Sequence, residues 1–194
     1  MTTYVVRHAP TVYSAAYRVN GDPSVDVPLT SDGEAACVQA RSVLPIDDIA
    51  ACVASPFRRC QRTADLLFDS TASILIDARL GELDYGVFEG GEFLAYARWL
   101  AQHGPSVRPP GGRESQSVGI IRMLTGLRAV LDRPKPRLVV AHGLLLSVLR
   151  WARAYPGQPL IDVFLPGEPS LTPMVVADDE LSAIIGFLVG AGGR

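Results

Sequence analysis

The sequence predicts an α/β fold, and three observations carry it. Short apolar runs alternate with longer amphipathic stretches along the chain. Capping or proline signals stand where the two kinds of segment meet. A hydrophobic fraction of 48% beside a charged fraction of 20% is that of an ordinary globular chain, and 194 residues suffice for a sizeable core, read as one domain over 1–194.

The elements follow in order. TTYVV (2–6) reads as the first strand. SDGEAACVQARSVL (31–44) reads as a helix that opens on the capping-box spacing of Ser31 and Glu34 and ends at Pro45. IAACVAS (49–55), continuous in small and β-branched residues, is the second strand. Ser55 then reads as an N-cap and Pro56 as the first residue of a helix running to about Phe68. ASILIDA (72–78) is the third strand and RLVVAHG (137–143) the fourth, which leads into the helix LLLSVLRWARA. Segments around 160–165, 172–178 and 181–188 read as further strands. Between the third and fourth strands, 83–136 holds two helical patterns, 92–102 and 114–131, separated by HGPSVRPPGG. This stretch reads as an insertion over the sheet, not as a second domain.

Composition narrows the partners. A net charge of −2 supplies no basic field for nucleic acid. The basic residues are almost all Arg, with Lys135 the only lysine. Cys37, Cys52 and Cys60 are odd in number and lack C-x-x-C spacing, so they read as small core residues and not as a disulfide or zinc framework. The start of the chain carries no signal-peptide pattern, and the run LSAIIGFLVGAGG is too short to span a bilayer. It reads as a final strand and tail, and a cytoplasmic location without membrane contact is expected. Oligomeric state is not legible, and a homodimer is left open.

Four groups stand at element junctions, where ligands bind in open α/β sheets. Arg7-His8 closes the first strand, and SPFRRCQRTA (55–64) opens a helix in which Arg59 and Arg62 share a face, with Thr63 one turn from Arg59. Glu82 follows the third strand within GELDYGVFEG, and His142-Gly143 follows the fourth, immediately before a helix. Gly143 lets the backbone approach a ligand, and free N–H groups at that helix start can hold an anion. Arginines and a helix N-terminus point to an anion, with phosphate the best fit. Two imidazoles would also suit a metal, but a third ligand is lacking and flanking arginines repel a divalent ion, so no metal is expected and a histidine nucleophile is the better reading. His103, in a Gly/Pro loop, reads as having no functional role.

As a set these residues resemble the histidine phosphatase superfamily, the phosphoglycerate-mutase-like enzymes. Arg7-His8-Ala9 stands for that family's Arg-His-Gly. Ser55-Pro56-Phe57-Arg58-Arg59-Cys60-Gln61-Arg62-Thr63-Ala64 stands for its second motif and puts the family's arginine on Arg59. Leu80, Glu82, Gly86, Glu89 and Gly90 match the glutamate element, His142-Gly143 the late His-Gly, and Pro28-Leu29-Thr30-Ser31-Asp32-Gly33 the first-helix element. The match spans 3 to about 150.

The resemblance implies a three-layer α/β/α fold with a mostly parallel sheet. It implies attack of His8 on phosphorus, with Arg7, Arg59 and His142 neutralising the phosphoryl oxygens and no cofactor needed. It gives Glu82 the role of acid and then base, with Asp84 as the alternative. Neighbouring cations would keep His8 neutral, yet the same cations oppose protonation of Glu82 unless burial or a bound dianion raises its pKa. The chain also departs from the mutases. Ala9 replaces glycine, Pro10-Thr11 stands for Glu-Ser, and Tyr13-Ser14 lacks Trp-Asn. The insertion offers only Arg98, Arg108 and Arg113 in place of a second anion clamp. A phosphatase acting on a small phosphorylated metabolite is therefore favoured over a phosphomutase or a non-catalytic phospho-ligand binder. Substrate contacts are expected from Ser14, Arg18 and Asn20 in the 12–27 loop and from Gly143, while Tyr96 and Trp99 read as packing.

Overall fold

The computed structural model describes residues 2–68, 73–160 and 164–191. Its strands are β1 (Thr2–Arg7), β2 (Ala51–Ala54), β3 (Ile74–Ile76), β4 (Arg137–Ala141) and β5 (Met174–Ala177). They form one sheet in the order β3-β2-β4-β1-β5, in which β5 alone is antiparallel. The apolar continuity of VVA in β4 and of Val5-Val6 in β1 has its reason here, because central parallel strands are covered on both faces.

Alternation sorts the strand side chains into two cores. Val5, Val53 and Val139 point into one core, while Val6, Cys52, Ala54, Leu138 and Val140 point into the other. The second face is covered by α3 (Arg58–Leu67), through Cys60, Ala64 and Leu67, with α2 (Ser31–Ala40) packed beside it. The first face carries α5 (Gln116–Val130), α6 (Gly143–Ala154) and α7 (Asp178–Ala191). The α5 stripe Ile120, Met123, Leu124, Leu127 and Val130 recurs every three or four residues, as a core-facing helix requires. The result is a three-layer sandwich. Within the inserted stretch, α4 (Phe93–His103) and its loops lie over the site, whereas α5 belongs to the layer on the sheet. Among the described residues no helix is long and apolar enough to cross a membrane.

Three boundaries differ from the sequence reading. The strand expected at 181–188 is the middle of α7: Leu181, Ile184, Ile185 and Leu188 are buried at helical spacing, and Asp178, Asp179 and Glu180 fill its first turn, where acids suit the helix dipole. A short, β-branched, glycine-bearing run had masked that period. The cap of α2 is Thr30, whose Oγ1 accepts from Gly33 N at 3.0 Å, and the helix stops at Ala40 instead of running to Leu44. Helix α3 begins at Arg58, past Pro56, which leaves Ser55 free to meet His142. Of the strand expected around 160–165, residues 161–163 lie outside the described set and Leu160, Phe164 and Leu165 carry no regular structure.

A fully buried arginine fastens the base of the sheet. Arg137 donates through Nη1 to Asp178 Oδ1 (2.7 Å) and Thr3 Oγ1 (3.0 Å), and to the carbonyls of Leu131 (2.7 Å) and Arg133 (2.9 Å). It thereby ties β1, the end of α5 and the start of α7 together. The Arg137 hydrogen bond, with help from Lys135, holds the Asp178 carboxyl below the usual range. Asp178→Ala should therefore lower stability at neutral pH by about 2–3 kcal/mol, because a buried cation loses its partner while keeping its carbonyl acceptors. In urea unfolding the deficit should be full at neutral pH, begin to fade below about pH 4, where the unfolded carboxyl takes up a proton, and be gone once the native carboxyl of the parent protein has done so too.

Candidate active site

The chain leaves β1 toward α2 on one face of the sheet and leaves β4 toward α6 on the other. The adjacent C-terminal ends of β1 and β4 therefore open a crevice at a topological switch point. Arg7 pairs in register with Ala141, so His8 and His142 emerge side by side. His8 N donates to Ala141 O at 3.0 Å, and the two imidazoles meet edge to face with centroids 5.5 Å apart.

His8 is buried, and its hydrogen bonds assign its tautomer. Nδ1–H donates to the carbonyl of Ala9 at 2.7 Å, which leaves Nε2 with a lone pair that accepts from Arg59 Nε at 3.2 Å. Burial above all, then Arg59 and Arg7, lowers the His8 pKa to about 3 against the opposing pull of the Ala9 carbonyl. The Ala9 peptide is itself held by α3: its N–H donates to Thr63 Oγ1 at 3.1 Å, and the Thr63 hydroxyl donates to Arg59 O at 2.7 Å.

Arg59 lies in the first turn of α3, buried, with its guanidinium 4.2 Å from the Phe57 ring centroid. Besides His8 it reaches the side-chain and backbone oxygens of Asn20 and, at 3.3 Å, Nδ1 of His142. With Nδ1 accepting there, His142 Nε2–H donates to Ser55 Oγ at 2.7 Å. Burial, followed by Arg59, pushes the His142 pKa well below its ordinary value. Arg7 donates through Nη1 to Glu168 O at 2.7 Å. Its Nε is buried and is the one such side-chain nitrogen or oxygen without a hydrogen-bond partner among the described residues. A β-carbon on Gly143 would sit 3.4 Å from that Nε, so glycine keeps the guanidinium uncrowded.

Glu82 enters from the turn after β3, with Oε1 accepting from Leu83 N at 2.9 Å and Oε2 lying 3.8 Å from His142 Nδ1. Its side chain is only 13% exposed. Burial raises its pKa and prevails over the opposing pull of Arg59, the Leu83 N–H, Arg7 and Arg122. Asp84 faces elsewhere: although burial raises its pKa, the Arg113 side chain at 2.7 Å and two backbone N–H groups bring it below the usual range. Asp84 does not line the cleft.

Ser14, Arg18, Asn20 and Gly143 all border the same cleft of about 380 Å³, together with Arg7, His8, Arg59 and Glu82. Their hydrogen-bonding capacity differs. Ser14 Oγ closes a capping box with Thr11 at the head of α1 (Val12–Ala15). Arg18 lies over the Tyr13 ring at 5.1 Å. Asn20 holds Arg59 through both its oxygens and donates to Glu89 Oε1 at 2.9 Å. Arg62 is turned out to Glu34 at 2.8 Å and is no part of the site, and His103 stacks on Trp99 at the exposed end of α4. His142 stands behind the lining, in contact with Arg59 and Glu82.

One positioning residue escaped the sequence reading. Arg122, in mid-α5, donates to the carbonyls of Arg79 (2.7 Å), Gly81 (2.9 Å) and Glu82 (3.0 Å), with Glu114 closing the fork at 2.6 Å. It fixes the turn that delivers Glu82. No short-range pattern marks it, because its partners are backbone carbonyls about forty residues away.

Residues 3–174 match the family model of the histidine phosphatase superfamily (branch 1). The chain belongs to that superfamily. A relative from Cronobacter sakazakii, named probable phosphoglycerate mutase GpmB, is 33% identical over 160 residues, spanning 77% of this chain and 73% of its own. Among solved structures, a mycobacterial glucosyl-3-phosphoglycerate phosphatase superposes with a TM-score of 0.73 at 24% identity, covering 91% of this chain and 92% of that one. An alpha-ribazole phosphatase from Shigella flexneri gives 0.63 at 22%, covering 80% of each chain. At these identities the two structures establish the shared three-layer fold.

In this histidine phosphatase superfamily member the two buried imidazoles are neutral, and that carries a cost at low pH. Below about pH 6.5 the unfolded chain takes up protons that the folded site refuses, so stability falls as pH falls. His8→Gln should make the pH dependence of stability shallower between about pH 6 and 4, by up to about 1.4 kcal/mol per pH unit. Urea unfolding at stepped pH reads this directly. Equal slopes in variant and parent would mean that His8 is charged in the folded protein.

Proposed function

We propose that this chain is a metal-independent phosphatase that hydrolyses a small phosphomonoester through a phosphohistidine on His8. The observation that carries the reading is the unpartnered, buried Nε of Arg7 in the cleft that also holds the unprotonated Nε2 of His8, itself accepting from Arg59. A buried cationic donor with unused capacity calls for an anionic acceptor.

In this mechanism the phosphoryl oxygens accept from Arg7 and Arg59, with His142 behind them. His8 Nε2 gives its lone pair to phosphorus as the ester P–O bond breaks. The imidazole becomes positive, and the Nδ1–H bond to the Ala9 carbonyl offsets that charge. Glu82, whose hold on a proton burial strengthens, gives a proton to the leaving oxygen. Its carboxylate then takes a proton from the water that attacks phosphorus. The P–N bond breaks, its electron pair returns to Nε2, and inorganic phosphate leaves.

Hydrolysis is supported over transfer by the charges around the cleft. Arg98, Arg108 and Arg113 are exposed and do not border it, and Arg113 is paired with Asp84. Beyond Arg7 and Arg59 the lining holds one more cation, Arg18. A second reading, phosphoglycerate mutase, is favoured by the name of the Cronobacter relative and would need a second anion clamp.

Three measurements test the proposal. His8→Ala should abolish hydrolysis of p-nitrophenyl phosphate. Glu82→Gln should lower kcat by about a hundredfold or more. With this activated leaving group it should still form the phosphoenzyme, which then accumulates as an acid-labile phosphate on His8. Full activity in His8→Ala would sink the nucleophile, and isomerisation of a phosphoglycerate faster than its hydrolysis would sink the phosphatase.

A further inference from the structure

The cleft extends well past the phosphate end, and its outer walls are aromatic. Tyr13 and Tyr17 come from α1 and the turn after it, Phe93 and Tyr96 from α4, and Phe164 and Leu165 from the segment after α6. Three of these are large apolar side chains held with much of their surface in water: Tyr17 at 79%, Phe164 at 49% and Phe93 at 43%. Isolated exposed aromatics need no explanation, but several on the walls of one cleft mark a binding surface.

The backbone holds this wall in place without a ligand. Phe93 N donates to Tyr17 O at 2.8 Å, Val19 N to Gly91 O at 3.0 Å, and Gly90 N to Val19 O at 3.1 Å. Residues 17–19 and 90–93 thus form a two-stranded clip that carries Tyr17 and Phe93 together. Tyr17 has a φ of 53°, a left-handed conformation that is costly for a bulky side chain and places the ring beside the cleft when a glycine would be easier.

Two of the polar groups on these walls are already engaged. The Glu168 carboxylate is taken up by Arg150 at 2.8 Å, and the single proton of the Ser147 hydroxyl lies between Pro166 O at 2.7 Å and Gly143 O at 3.0 Å. Arg18 lies against the Tyr13 ring. Among the described residues the cations that line the cleft are Arg7 and Arg59, at the phosphate end, and the exposed Arg18.

We infer that the group esterified to the phosphate carries an uncharged aromatic or similarly flat ring close to the phosphorus. This rests on the phosphatase reading for the word substrate, but the ring preference is a binding property and is testable without turnover. Three phosphonates that differ only in the group on the methylene form the probe set: benzylphosphonate, ethylphosphonate and phosphonoacetate. By titration calorimetry benzylphosphonate should bind about tenfold or more tightly than ethylphosphonate, the gain expected from partly burying one ring. Phosphonoacetate should bind less tightly than benzylphosphonate. Phe93→Ala and Tyr17→Ser, both at exposed positions where folding is not at stake, should each cut the benzyl-to-ethyl ratio by about threefold or more. Equal affinity for benzyl and ethyl, or tightest binding of phosphonoacetate, overturns the inference. Hydrolysis of phosphomonoesters without ring preference would leave the phosphatase standing and remove this proposal. Ring-selective phosphonate binding by a protein that hydrolyses no phosphomonoester would do the opposite.

Discussion

The site depends on one buried guanidinium. Arg59 donates to Nε2 of His8, to His142 and to two oxygens of Asn20, and so gathers β1, β4, α3 and the loop after α1 around a single charge. Its side chain approaches from the helix below the sheet edge, and Phe57 covers its face. A lysine could not serve in its place, because a planar fork with fixed donor directions is needed to meet several acceptors at once. Burial above all, reinforced by the same charge, keeps both imidazoles neutral.

Glu82 shows how competing electrostatic terms are resolved. Cations nearby favour its ionised form, and burial favours the protonated one. Burial prevails, so the carboxyl can hold a proton beside two arginines. Asp84, two residues on, goes the other way because Arg113 reaches it in a more exposed place. The backbone turn that separates these outcomes is held by Arg122, from α5, which packs directly against it.

Much of this was legible in the sequence. The strand ends at Arg7-His8 and His142 could be read because buried parallel strands are continuous apolar runs that stop abruptly at polar residues. Arg59 was legible from its motif, and its separation from Arg62 was not: both lie on one helical face by spacing, but only the packing of α2 against α3 turns Arg62 out to Glu34. Helix α7 was misread as a strand because IIGFLVG is short, apolar and β-branched, and nothing local weighs its four-residue spacing against that appearance. Asn20 was expected to face a ligand, and its oxygens are instead taken by Arg59, a long-range partner that no local pattern announces. The aromatic clip has the same origin, since the pairing of 17–19 with 90–93 joins segments about seventy residues apart.

The anchoring of Asn20 divides the loop that borders the cleft. Glu89 holds Asn20 Nδ2 and, at 2.7 Å, Gly21 N, and any side chain at Gly21 would collide with the Leu83 carbonyl. The loop is therefore divided into two stretches, 12–18 and 22–27, on either side of a fixed post that also holds Arg59. A change of side chain on either stretch leaves that post, and with it Arg59, in place. A fold with such a post can change what it recognises while its chemistry stays where it is.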